Sequence, residues 1–161
     1  MFRIGFGYDA HRLVKDRPLI IGGLRIPHDL GLAGHSDADV LIHAIIDGIL
    51  GALAMGDIGM HFPDNNPAYK DMDSVIMLEK VMEWVKQDGY RINNVDNTIV
   101  AERPKLAPHI LEMKERLSGI LEIRTDHINI KATTTEGMGF CGRQEGITAF
   151  SIVSLIKSDS V

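Results

Sequence analysis

The chain has 161 residues, 45% of them apolar and 24% charged, and its 17 Lys and Arg against 22 Asp and Glu leave a formal charge of −5. This length predicts one domain over residues 1–161, and the charge argues against a general nucleic-acid binder. The single cysteine, Cys141, excludes an intrachain disulfide and a cysteine-built zinc site, so any metal has to sit on histidines and carboxylates.

The opening MFRIGFGYDAHR carries Asp9 and His11 where a signal peptide needs its apolar core, which predicts a cytoplasmic protein. Within it, Ile4 to Tyr8 alternates glycine with larger residues and predicts a strand continuing towards His11. Leu19 to Ile26 predicts a second β piece around Gly22-Gly23, and Leu30 to His35 a loop. Ser36 is placed to cap a helix from about Asp37 to Met55, which Gly56 stops. His43 and Asp47 interrupt its apolar run, so it is no membrane span.

Asp57 to Asp73, rich in Asp, Asn, Pro and Gly, predicts a mobile loop. Ser74 is placed to cap a second helix with Val75, Leu78, Val81, Met82 and Val85 on one face, ending at Gly89. Asn97 to Glu102 predicts a strand, Pro104 and Pro108 bracket a turn, and His109 to Leu121 predicts a third helix. His127 to Thr133 predicts a strand, Glu136 to Gly146 a glycine-rich loop, and Ile147 to Ile156 a last strand, central or at a subunit contact. This irregular alternation predicts a sandwich of one sheet and one helical layer.

Four groups of residues carry chemistry. On a strand, Asp9 and His11 face the same side. His43 lies in an apolar helical stretch, where an imidazole is costly unless hydrogen-bonded or ligated. Together the three would make a zinc site with an open fourth position; taken singly they also read as exposed strand polars and a satisfied core histidine. Asp39 and Asp47 lie one turn either side of His43, and either could hold its second ring nitrogen. His35-Ser36 begins the same helix, where free N–H groups suit an anion, or where Ser36 simply caps. Ala132, Thr133, Thr134, Thr135 and Glu136 end a strand in hydroxyls and a carboxylate, suiting phosphate oxygens and a hard cation such as Mg²⁺. Ala101 to Pro108 has a backbone stiffened by prolines, with Lys105 able to meet a phosphate; it reads equally as a connector. No protein nucleophile is apparent.

Several motifs appear in fixed order: Arg3-Ile4-Gly5-Phe6-Gly7-Tyr8-Asp9-Ala10-His11, Gly34-His35-Ser36-Asp37-Ala38-Asp39-Val40, Gly56-Asp57-Ile58-Gly59, Phe62-Pro63-Asp64, Pro104-Lys105-Leu106, Lys131-Ala132-Thr133-Thr134-Thr135-Glu136 and Gly142-Arg143-Gln144-Glu145-Gly146. From Arg3 to about Lys157 the chain closely resembles the 2-C-methyl-D-erythritol 2,4-cyclodiphosphate synthase family. Phe6 (where a histidine is common), Met60 and Cys141 depart from the pattern without removing a ligand.

The resemblance implies an α+β fold in a threefold-symmetric homotrimer with active sites between neighbours. It implies a metal-dependent lyase of non-mevalonate isoprenoid biosynthesis acting on 4-diphosphocytidyl-2-C-methyl-D-erythritol 2-phosphate. The 2-phosphate attacks the β-phosphorus, CMP leaves and a cyclic diphosphate forms. By the same resemblance Asp9, His11 and His43 are zinc ligands, Glu136 binds Mg²⁺ or Mn²⁺, and His35 and Thr134 stabilise the transition state. Ser36 joins the substrate contacts, Asp57, Ile58 and Gly59 lie near the sugar hydroxyls, and Phe62, Pro63, Asp64, Asn65 and Asn66 form the loop over the methylerythritol. Ala101, Lys105, Leu106, Ala107, Ala132 and Thr133 form the cytidine pocket, with Thr135 beside it. Phe140 and Arg143 lie near substrate and the threefold axis, and Arg143 with Glu145 faces a central cavity able to hold an isoprenoid diphosphate. A zinc phosphohydrolase and a non-catalytic trimeric nucleotide sensor are the competing readings.

Overall fold

The computed structural model describes residues 1–158. Among the described residues there are seven strands: β1 (Phe2–Val14), β2 (Leu19–Ile21), β3 (Leu24–Ile26), β4 (Gly31–Leu32), β5 (Tyr90–Val100), β6 (Ile128–Thr133) and β7 (Gly146–Lys157). The helices are α1 (Val40–Leu53), α2 (Ile58–His61), α3 (Ser74–Gln87), α4 (Ile110–Leu121) and α5 (Gly139–Gly142).

Five strands form one sheet in the order β4-β1-β7-β5-β6, and β2 pairs with β3 as a separate hairpin. β7 is central, antiparallel to both β1 and β5, while β5 and β6 run parallel. It follows that β1, β5 and β6 all end at the same edge of the sheet. One face is covered by α1 on β1 and β7 and by α4 on β6, with α3 wedged between the two helices. The mixed sheet with one helical layer is an α+β arrangement, as expected.

The glycine alternation in β1 has a packing reason. Gly5 and Gly7 face inwards, and a Cβ at either would sit 1.8 Å from the carbonyl oxygen of Gly48 or Ala44. The missing side chains let the α1 backbone lie directly on the strand. Residues Asp9 and His11 continue that same face by the period of two. The close approach therefore brings His43 of α1 beside both.

Several boundaries differ from the sequence reading. Helix α1 starts at Val40, and its cap is Asp39 rather than Ser36. The Asp39 carboxylate accepts from Leu41 and Ile42 N–H, and also from Gly22 and Gly23 N–H at the hairpin tip (2.9 and 2.6 Å). A carboxylate beats a hydroxyl here because it has lone pairs for four donors. Helix α3 likewise is capped by Asp73, not Ser74, which is fully buried. Ala54 in left-handed conformation ends α1 two residues before Gly56. The β piece at 19–26 is a hairpin, turned by Gly22 and Gly23 at positive φ. The stretch expected as a loop at 30–35 contributes β4, and 57–73 contains α2 and a 3-10 turn at Pro67–Tyr69. Strand β5 begins at Tyr90, seven residues earlier than its apolar pattern suggests, because a bulge at 92–94 shifts the alternation.

Candidate active site

Three electron-pair donors converge where β1 meets α1. Asp9 Oδ2 lies 2.8 Å from His11 Nε2 and 3.1 Å from His43 Nδ1. The two imidazole nitrogens are themselves 3.1 Å apart. Among the described residues this is the one cluster of three His, Cys, Asp or Glu side chains with ligand atoms within 4.8 Å of one another.

The tautomers follow from the outer partners. His11 Nδ1 faces the Ala33 carbonyl at 2.7 Å, and a carbonyl only accepts, so Nδ1 carries the proton. His43 Nε2 lies 2.9 Å from Ser74 Oγ, whose own proton goes to the Asp37 carboxylate. Ser74 Oγ is therefore the acceptor, and His43 Nε2 carries its proton too. Both neutral rings then aim a lone pair at Asp9. Three such donors repel at about 3 Å unless a cation or shared proton lies between them. Without a metal, a proton on the inner nitrogens relieves that repulsion: burial alone would raise the Asp9 carboxyl, but hydrogen bonds from the protonated rings of His11 and His43 and their charge hold it far below the usual carboxylate range. Burial alone would lower His11, yet its hydrogen bond to Asp9, that carboxylate's charge and the Ala33 carbonyl raise it net. A tetrahedral zinc with bonds of about 2.0–2.1 Å separates its ligand atoms by roughly 3.3 Å, close to the spacings found. The donor set fits a zinc-like ion.

The sequence offered Asp39 and Asp47 as holders of the His43 ring, and neither does so. Asp39 is used up by the α1 cap, and Asp47 accepts from Ile58 N–H at 2.7 Å, which anchors α2. Burial raises both carboxyls; backbone donors pull each back in part. The helix end is no free anion site either, because Asp39 already takes the Leu41 and Ile42 N–H groups. Ser36 instead accepts from Ala38 N–H and stands 3.2 Å from His43 Nε2.

A cavity of about 320 Å³ opens on the triad. Its wall includes His35, Ser36, Ile58, Gly59, Phe62 and Asp64 from the expected set, together with Tyr69 and Met77, which sequence reasoning missed. Asp57 caps α2 through Met60 N–H, and Asn66 caps the turn at Pro67–Tyr69 while its carbonyl faces His35 Nε2 at 3.3 Å. Pro63 and Asn65 belong to the same segment but do not line the cavity. Phe62 is buried against Trp84 and Tyr69.

A second cavity of about 380 Å³ lies at the ends of β5 and β6, walled by Ala101 to Ala107 and Ala132 to Thr134. It brings together Ala101, Lys105, Leu106, Ala107, Ala132 and Thr133, and Thr134 with them. Thr134 Oγ1 donates to Glu136 at 3.0 Å just outside it. The Glu102 carboxylate, which the sequence does not single out, accepts from Thr135 and Gly137 N–H (3.2 and 3.0 Å) and ties the two strand exits together. Only its position opposite a threonine-rich exit could have signalled this. Phe140 and Glu145 line a separate hollow of about 170 Å³ with Ala10, His11 and Arg12, and Arg143 pairs with Glu145 at 2.9 Å on the surface.

The two main cavities share no residue. β1 and β6 are three strand spacings apart, or about 14 Å. Within one chain, the triad and Glu136 stand at the same edge of the sheet without meeting.

The family model described as the YgbB family matches residues 2–156. The 2-C-methyl-D-erythritol 2,4-cyclodiphosphate synthase of Bacillus mycoides is 58% identical over 98% of this chain and 99% of its own length. Among solved structures, the bifunctional IspDF from Campylobacter jejuni superimposes with TM-score 0.95 at 38% identity, over 99% of this chain and 43% of that longer one. The CDP complex of IspF from Plasmodium falciparum gives TM-score 0.86 at 33% identity, over 98% and 97% of the two chains. With a relative this similar over nearly its whole length, a family model over residues 2–156 and a matching fold, the chain belongs to the YgbB family, that of the 2-C-methyl-D-erythritol 2,4-cyclodiphosphate synthases.

Proposed function

We infer that this chain converts 4-diphosphocytidyl-2-C-methyl-D-erythritol 2-phosphate to 2-C-methyl-D-erythritol 2,4-cyclodiphosphate and CMP. One new P–O bond forms between the 2-phosphate and the β-phosphorus as the bond to the CMP oxygen breaks, so the reaction is a lyase step and needs no protein nucleophile. The observation that carries the reading is the convergence of Asp9, His11 and His43 on an open cavity, with a second cavity at the same edge of the sheet.

When bound, zinc at the triad and Mg²⁺ or Mn²⁺ at Glu136 supply Lewis-acid polarisation of the phosphate oxygens. The chain's own residues do the rest by orientation, which is worth about 7–11 kcal/mol in intramolecular reactions. Cytidine fits the second cavity, where the Ala101–Ala107 backbone presents N–H and C=O groups and Lys105 meets phosphate. His35 and Thr134 donate to phosphate oxygens as charge moves on them. The segment from Phe62 to Asn66, with Asp57 to Gly59, encloses the methylerythritol part.

The working unit is a cytoplasmic homotrimer of one domain over 1–161. Two features support the trimer. The sheet face away from the helices exposes Phe2, Ile4, Phe6, Tyr8 and Ile152, each at least 46% accessible. Such a patch asks for a partner surface. The roughly 14 Å between β1 and β6 also leaves each half of the site to be completed by a neighbour. Arg143 and Glu145, paired on the surface, would then face the central cavity and an isoprenoid diphosphate there. Among the described residues no helix is long and apolar enough to cross a membrane.

Phosphorus NMR of the product from the diphosphocytidyl substrate tests the reading. A cyclic diphosphate with CMP is expected. A linear phosphate indicates the phosphohydrolase instead, and CDP binding without turnover or metal indicates the sensor.

A further inference from the structure

Ser74 opens α3, yet it does not cap that helix, and its hydroxyl is fully buried. It points away from its own helix towards His43 Nε2, 2.9 Å away. The Ser74 hydroxyl proton goes to Asp37 Oδ1, and Asp37 Oδ2 accepts Ser74 N–H at 3.1 Å. Asp37 is itself fixed: its N–H donates to Met72 O, and its Oδ1 also takes Asp39 N–H at 3.2 Å. A directed chain therefore runs from His43 Nε2–H to Ser74 Oγ to the Asp37 carboxylate.

We propose that Ser74, oriented by Asp37, is a positioning residue that locks the His43 ring with its Nδ1 lone pair on the metal and so sets the affinity of the site. The proposal rests on the metal reading above and adds the residues that enforce it. Two physical effects act together. The ring cannot flip, because a flipped ring would turn a carbon towards Ser74 Oγ and leave a buried acceptor unmatched. Its donor strength also rises, because a hydroxyl polarised by a carboxylate withdraws the Nε2 proton and leaves Nδ1 more basic. Ser36 Oγ, at 3.2 Å and without a carboxylate behind it, is the weaker partner.

The test is zinc affinity, read by competition with a chromogenic chelator on the full-length chain stripped of metal. Wild type is expected to bind one zinc per chain. Ser74→Ala is expected to bind it 10- to 100-fold more weakly, the loss typical of removing an outer partner of a metal-bound histidine. Asp37→Asn keeps an acceptor for the Ser74 hydroxyl but not the charge, and is expected to lose several-fold. Asp73→Ala removes the α3 cap without touching the chain and serves as the structural control: it should lower the metal-free melting temperature and leave zinc affinity within twofold of wild type.

If Ser74→Ala or, should that variant not fold, Asp37→Asn binds zinc within twofold of wild type, the proposal is overturned. The same holds if Asp73→Ala weakens zinc as much as Ser74→Ala does, because the effect is then general loosening of α3. A wild-type chain that takes up no zinc overturns the metal reading, and the proposal with it.

Discussion

The triad and the β5–β6 exit are built in opposite ways. The triad is set between a strand and a buried helix, with glycine-mediated backbone contact beneath it and a defined hydrogen-bond partner behind each histidine. At the exit, Ala132, Thr133, Thr134 and Glu136 are all exposed, and the segment is held mainly through Glu102. One region is finished within the chain; the other presents donors outwards. A metal site has to exclude competing geometries and so benefits from rigid support. On the proposed function the exit is a phosphate-binding edge, which a neighbouring surface would complete.

The largest expected effects test that contrast at the triad. His43→Ala should abolish zinc binding and lower turnover by roughly 1,000-fold or more, since polarisation by a metal is worth several kcal/mol. Metal content by atomic spectroscopy with a turnover assay checks it, and a full complement of zinc in the variant would show that the ligand set is wrong. The second test joins the two regions. His43→Ala damages one and Glu136→Ala the other. In a cyclic trimer every subunit meets a different neighbour on each side, so each mixed trimer holds one site made of two intact halves. Random assembly from equal amounts makes about three quarters of trimers mixed, so about a quarter of all sites are whole. Co-expression of the two inactive variants should recover about that fraction of wild-type activity. No recovery in trimers shown to be mixed and folded would sink the shared site.

Gly7→Ala tests the foundation of the finished region. A Cβ there would lie 1.8 Å from Ala44 O and 2.6 Å from Gly48 N, both backbone atoms that cannot rotate away. Overpacking of this kind typically costs about 1–3 kcal/mol, and backbone on both sides puts this case at the upper end. Because α1 must move off β1, zinc affinity should fall with stability. A Gly7→Ala chain that melts and binds zinc like wild type would refute the role given to the glycines.

How much of this was legible beforehand follows from the kind of signal each feature leaves. Period-two and helical patterns announced β1, β7, α1 and α4, and an imidazole in an apolar helix announced His43, because those signals are local. The β1 glycines announced a strand but not its reason, since the backbone atoms they make room for, at Ala44 and Gly48 of α1, lie far along the chain. Ser36 and Ser74 look like caps because serine before a helix usually is one. Here a neighbouring aspartate, Asp39 or Asp73, takes each cap and frees the hydroxyls to face His43. Asp37 and Glu102 acquire their meaning from hydrogen bonds 33 to 37 residues away in sequence, and Tyr69 and Met77 from a cavity wall assembled by several elements, which no spacing rule reports.

Smaller effects should separate the regions further. Glu102→Ala should free Thr135 and Gly137 N–H and loosen the exit while leaving the triad intact. The expected result is a several-fold rise in KM for the diphosphocytidyl substrate, zinc content unchanged, and little loss of stability, because the bonds lie near solvent. Loss of zinc in Glu102→Ala would show that the two regions are coupled within a chain.

The gentlest probe is pH, and its sign differs between metal-free and loaded protein. In the metal-free chain the His11 value is raised, so its pairing with Asp9 stabilises fully below the unfolded histidine value of about 6.5 and is lost as pH rises through the folded value. Asp9 has a depressed value, so its contribution is present above the unfolded aspartate value of about 3.9 and is lost only in stronger acid, outside this window. Between pH 5 and 8 the metal-free chain should therefore lose stability slightly with rising pH. Metal binding needs His11 and His43 neutral, so protons compete with it and its contribution grows over the same interval. The two trends oppose each other, and the difference in melting temperature between zinc-loaded and chelator-treated protein should widen by several degrees from pH 5 to pH 8. A chelator effect that is constant or grows towards pH 5 would mean that the two histidines are not the groups for which metal and protons compete.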